Sequence, residues 1–110
     1  MIDKYEKLVR DKIPQIIKQN GDFPIVKTLD DENYFAALNQ KLTEEVNEYL
    51  KNHSVEELAD IAEVIYSIIK YKGLTLHDFE QIRLKKQEKR GGFDDRIYLV
   101  EVKRNIDGGK

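Results

Sequence analysis

The feature that most constrains this chain is a pair of helical apolar repeats separated by a break too short for anything but a hairpin. Residues 32 to 51 carry Phe35, Leu38, Leu42, Val46 and Tyr49 at three- and four-residue intervals, the spacing that gathers side chains on one face of an α-helix. Asp30-Asp31 ahead of them supplies a cap. The spacing resumes through Leu58, Ile61, Ile65 and Ile69 to Tyr71, and Gly73 ends it. Between the two repeats lie Asn52-His53 and then Ser54-Val-Glu-Glu57. The latter has the form of a capping box, in which Ser54 accepts from the third amide of a new helix and Glu57 reaches back. Helices joined this closely are antiparallel neighbours.

The rest of the chain also reads as helix, with two exceptions. Apolar residues recur at helical spacing over residues 8 to 19, Pro14 places the regular helix start near itself, and Asn20-Gly21 supplies a left-handed stop. Thr75 caps a fourth helix from Leu76 to about Lys89, which closes at Arg90-Gly91-Gly92. The exceptions are Phe23-Pro-Ile-Val-Lys-Thr-Leu29 and Arg96-Ile-Tyr-Leu-Val-Glu-Val102, which alternate and have strand composition. The expected fold is all-α, a bundle of about four helices with an antiparallel acidic hairpin and a small peripheral two-stranded β element made by pairing those two segments. At 110 residues the chain fits one domain. We expect it to span residues 1–104, with 105–110 a disordered tail. A domain so small buries a modest share of its surface, which favours a homodimer or homotetramer.

Bulk properties exclude several classes of function. Nineteen Lys and Arg against 21 Asp and Glu give a net charge of −2, which predicts no general attraction for a nucleic-acid polymer or an anionic membrane. No signal-peptide pattern opens the chain, and no stretch approaches the ~20 apolar residues of a membrane span. The absence of cysteine rules out disulfides and thiolate metal sites and is compatible with the expected cytoplasmic setting.

The chemistry is concentrated in Glu44-Glu45-Val-Asn-Glu48 and Glu57-Leu-Ala-Asp60, one on each arm of the hairpin. Reflection about the turn pairs Glu48 with Glu57 and Glu45 with Asp60. On each arm the two acids are three residues apart, one turn along a single face. At about 100° per residue, Glu45 falls in the stripe of Leu38, Leu42 and Tyr49, and Glu57 lies beside Val64 and Ile68. Four inward carboxylates need protons or a compensating cation. No Lys or Arg of the two helices is placed to neutralise all four, whereas a hard divalent ion with oxygen ligands, Mg²⁺ or Mn²⁺, would do so. The competing reading is a solvated acidic helix face.

Glu44-Glu45-x-x-Glu48 followed by Glu57-x-x-Asp60 on a helical hairpin resembles the signature of the MazG-like all-α nucleoside triphosphate pyrophosphohydrolases. Lys7-Leu-Val-Arg-Asp-Lys-Ile-Pro14 and Lys89-Arg-Gly-Gly-Phe93 narrow the resemblance to the phosphoribosyl-ATP pyrophosphohydrolase-like subgroup, over about residues 5 to 102. The resemblance implies Mg²⁺-dependent cleavage between the α and β phosphates, giving a monophosphate and pyrophosphate, in a house-cleaning role. It implies Glu45, Glu48, Glu57 and Asp60 as metal ligands, with Glu44 an outer acid or extra ligand, and Glu44, Glu45 and Glu48 as the catalytic acids. Phosphoribosyl-ATP as substrate, or a non-catalytic metal- or nucleotide-binding module, are the alternatives.

Cations in the flanking motifs are candidates for the substrate phosphates: Arg10 and Lys12 in the first, Lys86, Lys89 and Arg90 in or near the second. Lys86 and Arg90, four apart, share one helical face, and Gly91-Gly92 would let backbone amides approach a phosphate. The alternative for each is a solvated charge. Any single aromatic, Phe93 included, is expected in the core before a base-stacking role. The two histidines, His53 and His77, are expected to cap helices or face solvent.

Overall fold

The computed structural model describes residues 1–105, so all but the first residue of the expected tail lies outside the described part. Four helices follow in order: α1, Ile13–Gln19; α2, Asp31–Asn52; α3, Val55–Tyr71; and α4, Leu76–Arg90. The protein is all-α among the described residues. None of its helices is long and apolar enough to cross a membrane. The chain forms two compact units, Met1–Phe79 and a second that begins at Glu80.

Local chemistry sets each helix boundary in the first unit. Pro14 stands in the first turn of α1, where its missing N–H costs nothing, and Gly21 at φ 91° turns the chain away after it. Asp30 caps α2 by accepting from the Asn33 amide at 2.9 Å. His53, at φ 54°, is the left-handed residue that closes α2, and its amide donates to the Tyr49 carbonyl at 2.7 Å. Ser54 then caps α3 by accepting from the Glu57 amide at 3.2 Å. At α4 the capping is reciprocal: the Asp78 amide donates to Thr75 Oγ1 at 3.0 Å, and the Thr75 amide to Asp78 Oδ2 at 3.1 Å.

Helices α2 and α3 pack on one another as the expected antiparallel hairpin. Among the described residues, Leu38 from α2 and Val64 from α3 are the buried apolar ones. The open end is closed by aromatic rings: Phe35 stacks on Tyr71 at 4.8 Å between centroids, with Tyr34 edge-on to the same ring at 6.0 Å. Lys72 lays its ammonium over Phe35 at 5.1 Å.

The β element is not formed, and this corrects the sequence expectation. No strand occurs among the described residues; Phe23, Ile25, Val26 and Ile97 to Val100 are all exposed. Strand composition is necessary for a two-stranded ribbon but insufficient, because such a ribbon is marginal unless one face is covered. Pro24 also lacks the N–H a ladder would use, and Arg96, at φ 59°, breaks the extended run at its first residue. Phe93 departs from expectation too: it is exposed and belongs to no core.

Candidate metal centre

The hairpin brings together Glu45 from α2 with Glu57 and Asp60 from the first turns of α3. One carboxylate oxygen of each lies within 4.8 Å of the others, and all three residues are half-buried. Glu45 arrives there because it continues the apolar stripe of α2 one turn past Leu42. Glu57 and Asp60, one turn apart, meet it from α3.

Glu57 is the member whose carboxylate is least satisfied. Its Oε2 is buried and no hydrogen-bond donor reaches it, a position that costs free energy unless a proton or cation compensates. The capping box expected from the sequence is only half made. Ser54 does accept from the Glu57 amide, but the Ser54 amide donates to Asn52 Oδ1 at 3.3 Å and not to Glu57. The Glu57 side chain is thereby left to face Glu45. The hydrogen bond its carboxyl can make to Glu45 when protonated, then burial, then the charges of Glu45, Asp60 and Glu48 hold it above the usual range.

That shift carries a stability prediction. A carboxyl raised above its ordinary 4.5 favours the fold in its protonated form, and that contribution is lost as pH rises through the raised value. Glu57→Gln, which fixes the neutral form, should therefore melt at or above the parent temperature at pH 7. The difference should close as pH falls below the ordinary value. A clear drop in melting temperature at pH 7 would mark Glu57 as a structural acid.

The other acids have cations beside them, though no single Lys or Arg of the two helices reaches all four. Lys41 lies 3.3 Å from both Glu44 and Glu45. Lys7 reaches Glu44 at 3.1 Å, Arg10 reaches Asp60 at 2.6 Å and Glu63 at 4.0 Å, and Lys51 stands 3.9 Å from Glu48. Burial would raise the Glu44 carboxyl, but its hydrogen bonds with Lys7 and Lys41 outweigh this and hold it below the usual range. Lys41 was legible as the residue three and four positions before two acids; Lys7 and Glu63 were not.

Of the residues singled out by sequence, Glu48 stands apart from the converging trio. Its side chain is 47% exposed, against 12% for Glu45, because a three-residue step turns it toward the edge of the helix, where Lys51 draws it. Glu44 is occupied by its two lysines. Arg10 sits on the acids themselves, and Lys12 is exposed just ahead of α1. Lys86, Lys89 and Arg90 are exposed and belong to the second unit. There Arg90, Gly91 and Gly92 line a shallow depression together with Asp94 and Asp95, whose charges oppose a phosphate. His53 closes α2 with its ring edge-on to Tyr49 at 5.6 Å, and His77 lies exposed in the first turn of α4.

The fold and this cluster define an all-α protein with an acidic helical hairpin. Comparison with known proteins adds one relative. A stretch of 42 residues is 52% identical to an uncharacterized protein of Mycolicibacterium smegmatis, covering 38% of this chain and 43% of that protein. The chain thus matches less than half the length of that relative. No family model and no solved structure matches the chain.

Proposed function

We propose that this protein is a Mg²⁺-dependent nucleotide pyrophosphohydrolase of the MazG-like type, which adds water across the α–β phosphoanhydride and releases a monophosphate and pyrophosphate. The observation that carries the reading is the convergence of Glu45, Glu57 and Asp60 from two helices, with a buried Glu57 oxygen that no donor reaches. Three carboxylates form an all-oxygen donor set that fits a hard divalent cation and does not fit zinc. Glu45, Glu57 and Asp60 would hold the ion.

When bound, Mg²⁺ or Mn²⁺ supplies charge neutralisation to phosphate oxygens. The remaining work falls to the chain's own groups. Glu48 is half exposed, with Lys51 3.9 Å away, and is the carboxylate available to accept a proton from the attacking water at Oε. Glu44, kept ionised by Lys7 and Lys41, orients the latter beside Glu45. Lys12, exposed just ahead of α1 in the same unit as the acids, is a cation available to meet a triphosphate.

A second copy of the chain completes the reading. Leu50 and Leu58 are 61% and 46% exposed on the hairpin, apolar side chains that the two helices leave uncovered. Another hairpin packed there would make a four-helix arrangement beside the acidic cluster.

The test is pyrophosphate release from a panel of nucleoside triphosphates and phosphoribosyl-ATP, with Mg²⁺, with Mn²⁺ and with chelator. Metal-dependent release from any member is the expected result, and the panel ranks the substrates. No release, with Mg²⁺ still raising the melting temperature by mass action, would make the protein a metal-binding module without turnover.

A further inference from the structure

We propose that Arg10 is a built-in counter-cation of Asp60 which a divalent ion displaces, and that the freed guanidinium then takes a phosphate oxygen, so that metal and phosphate bind cooperatively. The inference rests on the metal reading above. Its own ground is the segment that precedes α1. Lys7 and Arg10 straddle the hairpin, Lys7 on Glu44 of α2 at 3.1 Å and Arg10 on Asp60 of α3 at 2.6 Å. The two contacts are not equivalent. Glu44 lies outside the converging trio, so Lys7 occupies no oxygen that the trio would offer. Asp60 is a member of it, and Arg10 also reaches Glu63 on the outer side of α3 at 4.0 Å.

A guanidinium on a ligand carboxylate competes with a metal for the same negative charge. Its side chain is 54% exposed, so it has room to swing off Asp60 without disturbing a packed core, and Glu63 offers a place to pivot. Arginine suits the second half of the role, because its planar fork binds carboxylate and phosphate with the same geometry. Each ligand then lowers the cost of the other, which is a coupling between two sites.

The experiment is Mn²⁺ binding by calorimetry to the full chain and to Arg10→Ala, Arg10→Gln and Lys7→Ala, each with and without inorganic phosphate. Arg10→Gln keeps much of the side-chain stem should the alanine variant fold poorly. Both arginine variants are expected to bind Mn²⁺ tighter than the parent by about three- to fivefold, the scale of an exposed ion pair. Lys7→Ala removes the same charge and should leave the affinity within about twofold. Phosphate should tighten Mn²⁺ binding by the parent and not by the arginine variants. Equal or weaker Mn²⁺ binding by both arginine variants, an equal gain in Lys7→Ala, or no phosphate effect in the parent overturns the proposal while leaving the metal centre standing. Absence of Mn²⁺ binding by the parent overturns both.

Discussion

Asp60→Asn and Glu45→Gln should each reduce metal-dependent pyrophosphate release by at least about 100-fold, the upper end of what even outer-shell partners of a metal contribute. Each substitution keeps the shape of the side chain and removes the charge on an oxygen proposed to bind the metal. One of these acids comes from α3 and the other from α2, so equal losses would show that both arms serve one centre. The fold should survive, since taking one charge from a cluster of like charges relieves repulsion. Circular dichroism at matched concentration checks that point, and release within a few-fold of the parent in either variant would remove that residue from the site.

Leu38→Ala should have the largest effect on stability. Leu38 is 3% exposed at the contact between α2 and α3, and truncating a buried leucine costs about 3 kcal/mol through lost transfer energy and the cavity left behind. For a domain of roughly 60–100 residues, 1 kcal/mol moves the melting temperature by about 4–8 °C, so a fall of more than about 10 °C is expected in a thermal melt followed at 222 nm. Few other side chains share the burial load: Val64 at 7% is the other buried apolar residue among those described. A fall of less than about 3 °C would mean that the hairpin is held by something other than this contact.

The hairpin was legible because two independent signals in the sequence agree. Helical spacing gave the two arms, and the reflection about Asn52-His53 that pairs Glu45 with Asp60 also brings Phe35 to the height of Lys70, one residue from Tyr71, on whose ring it stacks. Register in an antiparallel pair is fixed by one turn, so a correct turn carries every pairing along the arms with it. The convergence of acids was legible to the same depth: Glu45, Glu57 and Asp60 come together and Glu48 turns aside. Glu48 satisfies the three-residue rule, but that rule fixes only the helix face, and a side chain at the rim of the face can turn to Lys51 instead.

Two kinds of feature were hidden. Contacts made across the chain, such as Lys7 with Glu44 and Arg10 with Asp60, have no periodic signature, because the approach of a loop to a helix is a tertiary fact. The strand expectation failed for a related reason. Residues 23–29 and 96–102 have the composition of strands, but a ladder needs a partner and a covered face, neither of which composition encodes. The Glu57 cap belongs to the same lesson: Asn52, two residues before Ser54, took the amide that the capping-box pattern assigned to Glu57.

The left-handed His53 that closes α2 also governs how quickly the acidic centre can assemble. Everything from Glu45 to Asp60 lies within one short excursion of the chain around that residue, so bringing the three carboxylates together requires the closure of a single small loop. Closure entropy grows only with the logarithm of loop length and is least for contacts this local, and chains dominated by local contacts fold fastest. Assembly of the acidic cluster therefore needs only the hairpin, so its like charges must be met whenever the two arms close.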